Sequence, residues 1–321
     1  MNVVLTGSVA FDYLMSFPGR FKDAFLADQL DTISLSFLVD SLTKRRGGIA
    51  PNIAYSLALL GERPTVMATV GEDFADYGRA LEATGVDTSA IRVIPNESTA
   101  SFFVTTDEAL SQIASFYPGA MSRAAELSIA DLSPRPDLVM ISPNDPAAMR
   151  KYAQECRELG IPYWYDPSQQ IARVSGEELR EGVDGATALL VNEYEFALLQ
   201  EKTGYSADHL LRHIDLVVVT RGAKGASIYT QGKEYSIPVA PPTHIEDPTG
   251  AGDAFRGGLL KGYLHHLPWE VSGRIGALAA TYCLETSGTQ GQSYTPQAFL
   301  KRFCEIFGHD VPCETVKAAF A

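Results

Sequence analysis

Short runs of consecutive apolar residues recur along the chain: "PTVMATVG" (64–71), "PDLVMIS" (136–142), "IPYWYD" (161–166), "TALLVN" (187–192) and "DLVVVT" (215–220). The N-terminal "MNVVLTGSVAFDY" reads as the first strand of the same series. Helix-length segments separate these runs. Continuous apolar runs are what strands buried on both faces require. Interleaved with helices, they predict an α/β fold with a doubly wound, mostly parallel sheet flanked by helices. Such sheets bind ligands in the crevice beyond their C-terminal strand ends, so residues just after the strands are the first candidates for function.

Two stretches break the pattern. "DQLDTISLSFLVDSLTKRR" (28–46) and "TASFFVTTDEALSQIASFY" (99–117) are β-rich, alternate in part, and have no crossover helix between them. They predict a small β sheet outside the main one. The division that follows is a main domain of residues 1–12, 51–96 and 118–321, with 13–50 and 97–117 forming a small β lid. A lid over the crevice and a homodimer contact are the two roles open to it.

Composition narrows the function classes. Of 321 residues 45% are hydrophobic, enough for a sizeable core. With 26 basic against 39 acidic residues the net charge is −13, which repels polyanions, so neither nucleic acid nor an anionic membrane is an expected partner. Small anions held by backbone N–H groups stay open. Cys156, Cys283, Cys304 and Cys313 form no CxxC pair and no zinc-ligand spacing, and they read as reduced thiols of a cytoplasmic protein. No basic leader and no apolar run near the ~18 residues of a membrane helix is seen.

Chemistry concentrates in "DPTGAGDAF" (247–255), a glycine turn leading into a helix-like run. Gly250, Ala251 and Gly252 would sit at that helix's N-terminus, where unpaired N–H groups and the dipole's positive end make an anion site. Asp253 in the first turn would stand beside the bound anion, a position suited to a base taking a proton from an attacking hydroxyl. A glycine turn carrying an acid favoured by the dipole accounts for the same residues without a ligand. The dinucleotide fingerprint is excluded because Phe255 takes its third glycine position, and no GxxxxGK[ST] P-loop occurs.

Four companion motifs decide the reading. They are "GSVAFD" (7–12), "GGIAPN" (47–52), "NEYE" (192–195) and "TRGAKG" (220–225). With them the chain resembles the ribokinase-like (phosphofructokinase B) superfamily of carbohydrate and nucleoside kinases along nearly its whole length. The resemblance implies Asp253 as catalytic base with Gly250, Ala251 and Gly252 as the anion hole. It implies Asp12, Gly47, Gly48 and Asn52 around the acceptor sugar, and Asn192, Thr220, Gly222 and Gly225 around the nucleotide. Glu195 would act on Mg²⁺ through water, and Asp247 is where some relatives keep a monovalent cation. ATP and Mg²⁺ are thus expected cofactors, with K⁺ a further one.

Local readings compete with several of these. "NEYE" also matches a capping box, "TRGAKG" a β-hairpin turn, and "GGIAPN" a turn before a helix with Pro51 at its first position. Asp166 in "YDPS" lies at a strand end with its role open.

For the acceptor, "FDYLMSFPG", "QIASFYPGA", "NEYEFALL" and "IEDPTGAGDAFRGG" resemble adenosine kinase-like nucleoside kinases, and Ile49 stands where ribokinase-type members carry lysine. Phe102, Phe103, Phe116 and Tyr117 in the lid stretch are the candidates for a base slot. The expectation is transfer of the γ-phosphoryl group of ATP to the 5′-hydroxyl of a nucleoside, adenosine foremost. Its rivals are a sugar kinase of the same fold, a non-catalytic nucleotide or nucleoside sensor, and more distantly a nicotinamide-dependent oxidoreductase.

Overall fold

The computed structural model describes residues 1–25 and 34–320. Its strands are β1 (Val3–Thr6), β2 (Ala10–Ser16), β3 (Ser41–Gly47), β4 (Thr65–Val70), β5 (Ile91–Val93), β6 (Ala100–Thr106), β7 (Gln112–Tyr117), β8 (Leu138–Ile141), β9 (Tyr163–Tyr165), β10 (Ala188–Asn192), β11 (Leu216–Thr220), β12 (Ala226–Thr230) and β13 (Lys233–Ile237). Its helices are α1 (Phe21–Ala24), α2 (Ile49–Leu59), α3 (Ala75–Ala83), α4 (Pro146–Leu159), α5 (Gly176–Val183), α6 (Glu193–Thr203), α7 (Ala207–His213), α8 (Ala251–Leu264), α9 (Trp269–Leu284), α10 (Pro296–Phe307) and α11 (Cys313–Lys317).

Nine strands form the main sheet in the order β13-β12-β11-β10-β9-β8-β1-β4-β5. Neighbours from β11 through β5 run parallel, and the β11–β12 and β12–β13 pairs are antiparallel. The continuous apolar runs have a direct cause here. Val3, Leu5, Leu138, Met140, Leu216 and Val218 face a core shared with α2 and α8, while Val4, Val139, Ile141, Val217 and Val219 face one shared with α4, α5 and α6. Side chains alternate between faces with a period of two, so a sheet covered on both sides needs apolar residues at every position. A third cluster packs α9 against α10 through Leu278, Phe299 and Phe303.

Four strands form a second sheet, ordered β3-β2-β6-β7, with β2–β6 parallel and its other pairs antiparallel. The N-terminal run, expected as one strand, is therefore two. Residues 7–9 turn the chain out of the main sheet, and β2 belongs to the small one. Gly7 lies at that corner, where a Cβ would come 3.1 Å from that of Ala50. In the 28–46 stretch regular strand is confined to Ser41–Gly47, and residues 28–33 lie outside the described residues.

The expectation of four reduced thiols is corrected at the C-terminus, where Cys304 and Cys313 are joined as a disulfide and Cys156 and Cys283 are free. The end of α10 and the start of α11 bring these Cα atoms to 5.6 Å, inside the disulfide range, across a nine-residue separation that carries no sequence signature. Among the described residues no helix is long and apolar enough to cross a membrane.

Candidate active site

Beyond the C-terminal ends of β1, β9 and β10, beneath the inner face of the small sheet, lies a crevice of about 510 Å³. The loops and helix starts after the strands build one wall, and alternate residues of the small sheet's strands build the other. Ala10, Asp12 and Leu14 of β2 face inward together, as do Phe102 and Val104 of β6. Phe116 lies opposite Phe102 in the β6–β7 register. Phe103 and Tyr117, also expected as base-slot candidates, are turned out to solvent at 39% and 48% exposure, with Phe103 stacked on Tyr13. The period of two separates neighbours that look equivalent in sequence.

Helix α8 starts as its glycine turn anticipates. Gly250 is its N-cap with φ 84°, and Ala251, Gly252 and Asp253 make the first turn. A Cβ on Gly250 would sit 2.9 Å from that of Thr289, so both the left-handed backbone and the space require glycine.

Asp253 lines the crevice and accepts a hydrogen bond from Asn52 Nδ2 at 2.9 Å. Asn52 is buried and held from its other end, its Oδ1 accepting from Gln290 Nε2 at 2.9 Å. Gln290 also reaches the Tyr77 hydroxyl at 2.5 Å, which donates to the Gly47 carbonyl at 2.9 Å. This chain fixes the orientation of the Asp253 carboxylate relative to the double glycine.

Burial pushes the Asp253 carboxyl up to about 6 against the opposing pull of the Arg256 charge and the Asn52 hydrogen bond. Arg256 stands one turn further along α8, almost fully buried. It pairs with fully buried Asp166, its Nε 2.5 Å from Oδ2 and its Nη2 donating to Oδ1 at 2.8 Å. Asp166, left without a role by its sequence position, is thus the counterion of the cation behind Asp253. Both partners were missed as a pair because they are 90 positions apart. The only signal for Arg256 was its spacing of three from Asp253, which puts both on one side of the helix.

Across the crevice, burial raises Asp12 to about 6, with Arg45 acting against it. Asp12 is opposite Arg45 in the β2–β3 register. Gly47 allows this approach, since a Cβ there would lie 2.5 Å from Asp12 Oδ2. Gly48 is the N-cap of α2, and Pro51 falls at the third helical position rather than the first. The first-turn N–H groups lack intrahelical acceptors, so proline is tolerated at either place.

Asn192 and Glu195 form the capping box of α6, each side chain accepting the other's backbone N–H at 2.8 Å. Glu195 still lines the crevice, its second oxygen without a hydrogen bond among the described residues, and burial raises its pKa. One available carboxylate oxygen fits a Mg²⁺ ion that keeps most of its water, and among the described residues no group of three or more His, Cys, Asp or Glu converges into a cage. Thr220 sits beside Asn192 at adjacent strand ends. Gly222 and Gly225 lie beyond it in the β11–β12 hairpin turn, at φ 54° and 84°, outside the lining of the crevice.

Asp247, expected beside a monovalent cation, lies against Arg45. Its Oδ2 is 3.1 Å from Arg45 Nη1 and accepts the Gly288 N–H at 3.0 Å, while Oδ1 accepts the Thr249 N–H at 2.9 Å. Burial disfavours its ionisation, but these hydrogen bonds and the Arg45 charge outweigh that and hold the carboxyl below its usual range.

A helix N-terminus with an adjoining carboxylate, facing a second carboxylate across a covered crevice, is the arrangement of a phosphotransferase that acts on an alcohol. The family model described as "pfkB family carbohydrate kinase" matches residues 8–296, and the chain belongs to that family. A nucleoside kinase of Methanocaldococcus jannaschii is 29% identical over 291 residues, covering 90% of this chain and 92% of the relative. Among solved structures, the nucleoside kinase of Burkholderia thailandensis in complex with inosine is 34% identical with a TM-score of 0.86, covering 95% of this chain and 99% of that one. The same protein in complex with ADP-inosine gives 35% identity and a TM-score of 0.83, over 95% and 96%.

Proposed function

We propose that this protein is an ATP- and Mg²⁺-dependent nucleoside kinase that phosphorylates the 5′-hydroxyl, with adenosine as acceptor. The observation that carries the reading is the Asp253 carboxylate at the first turn of α8, aimed by Asn52 into a crevice whose opposite wall bears Asp12. The 34%-identical relative solved with inosine favours a nucleoside over a free sugar.

In this reading Asp12 accepts hydrogen bonds from the ribose diol, and Gly47 and Gly48 let the sugar lie against backbone. The base extends into a side pocket of about 140 Å³, where Phe102, Phe116 and Met121 give apolar walls and Gln169, Gln170 and Arg173 give polar ends. An apolar slot with a few placed donors is what a heteroaromatic base needs.

The nucleoside 5′-oxygen attacks the γ-phosphorus of ATP. Its O–H bond breaks, the new O–P bond forms, and the proton passes to Asp253. The bond between the γ-phosphorus and the β–γ bridging oxygen breaks, and ADP leaves. Gly250, Ala251 and Gly252 form the anion hole at the start of α8, which receives the transferring group and stabilises the charge on its equatorial oxygens. Glu195 would hold Mg²⁺ through water, and the ion would supply neutralisation of the phosphate charge. Asn192 and Thr220 border the phosphates, with Gly222 and Gly225 toward the ribose of ATP. Lid strands β2 and β6 exclude water that would otherwise take the phosphoryl group.

A panel of nucleosides and sugars assayed for ATP-dependent phosphorylation tests the assignment. Adenosine is expected to give the highest kcat/KM. Preference for fructose or ribose would overturn the nucleoside reading, and ligand binding without turnover by any member of the panel would favour a sensor.

A further inference from the structure

We propose that the Arg45 guanidinium supplies, from the lid, the positive charge at Asp247 that a monovalent cation would otherwise provide, so that phosphoryl transfer by this chain runs without K⁺. The inference rests on the kinase reading above and adds a regulatory property to the same site.

The donor set around Asp247 carries the argument. Three groups approach its two oxygens, and all are hydrogen-bond donors: Thr249 N–H on Oδ1, Gly288 N–H and Arg45 Nη1 on Oδ2. A K⁺ ion is bound by oxygens that replace its hydration shell. At Asp247 such an ion would meet the positive ends of two amides and a guanidinium, which repel it. Arg45 is anchored on its other side as well, its Nη2 donating to Ser287 Oγ at 2.8 Å. The guanidinium charge is tethered to β3 and so does not exchange with solvent as a bound ion does.

The position of Asp247 explains what that charge is for. Asp247 stands three residues before Gly250, and its carboxylate ties the 247–250 turn to the 286–291 loop through Gly288, while Thr289 packs on Gly250. Leaving this carboxylate uncompensated would pull the two loops out of register and with them the amides that receive the phosphoryl group. Because Arg45 belongs to β3, the anion hole takes its full shape only when the lid strand is seated over the crevice.

The test starts with the wild-type enzyme in tetramethylammonium buffer, titrated with KCl and NaCl to 100 mM at constant ionic strength. The expected result is a kcat that changes by less than twofold and a thermal midpoint that is the same with KCl as with tetramethylammonium chloride. A K⁺-specific rise in kcat above twofold, or a K⁺-specific rise in the midpoint, overturns the proposal. The midpoint is read without substrates, so it reports on Asp247 even if the nucleoside assignment fails.

The second arm uses Arg45→Ala, with circular dichroism establishing that it folds. Its kcat is expected to fall at least tenfold in tetramethylammonium and to recover in part with guanidinium chloride or KCl at tens of millimolar. A folded variant that keeps wild-type kcat, or one that neither cation restores, overturns the proposal.

Discussion

At Asp253 burial pulls the carboxylate one way, and the Arg256 charge with the Asn52 hydrogen bond pulls it the other. Burial wins and leaves it near 6, and Asp12 across the crevice reaches a similar value for the same reason. A base with a pKa close to working pH combines a large ionised fraction with useful proton affinity. If both must be ionised in the free enzyme, log kcat/KM falls below pH 6 with a limiting slope approaching two, and with a slope of one in Asp12→Asn. A wild-type profile flat to pH 5 contradicts this.

The same shift has a cost in stability whose sign is fixed. The folded-state pKa of Asp253 lies above its ordinary value of 3.8, so the folded state binds more protons between these values. Its contribution is therefore present below about pH 4 and lost as pH rises through about 6. The Asp253→Asn variant is expected to melt above wild type at pH 8, with the gap closing by pH 4, while kcat drops by roughly 10²–10⁴-fold. Thermal melts at the two pH values check the first part.

At the scale of elements, the site is made where three backbones start or turn: the first turns of α2 and α8 and the end of β3. Gly47 is the place where an added Cβ would meet the Asp12 carboxylate itself. An alanine there would displace the Asp12 carboxylate, so Gly47→Ala should raise the nucleoside KM by about 5- to 100-fold, the value of one or two lost hydrogen bonds, with the KM for ATP unchanged. Steady-state kinetics varying each substrate in turn separates the two constants.

Elements also show what was legible beforehand. The parallel strands stood out because burial on both faces demands unbroken apolar runs, and the glycine turn before α8 because only glycine fits its backbone. Strand β13 was missed, since "KEYSI" at the sheet's edge is mostly exposed and polar. The corner at residues 7–9 was missed because apolar Val9, Ala10 and Phe11 resume directly after Gly7 and Ser8. Arg45 with Asp247, and Arg256 with Asp166, were not legible as pairs. They join positions 202 and 90 residues apart, and nothing local distinguishes these arginines from solvated ones.

Over the whole molecule, a body and a smaller sheet border the crevice together, with the Arg45–Asp247 pair linking them there. A nucleoside that touches Asp12 on one side and Asn52 on the other should order both parts together. Hydrogen exchange is expected to slow in β2, β6 and the first turn of α8 when adenosine and an ATP analogue are added, and protection confined to one of the two parts contradicts joint binding.

The central claim, that Asp253 deprotonates a nucleoside hydroxyl as the adjoining amides receive the phosphoryl group, is tested most directly by phosphorus NMR of turnover with ATP and adenosine. The account predicts adenosine 5′-monophosphate from the wild-type enzyme and a folded Asp253→Asn variant that forms it roughly 10²–10⁴-fold more slowly. A product phosphorylated at another hydroxyl, or an Asp253→Asn enzyme that keeps the wild-type rate, would contradict it.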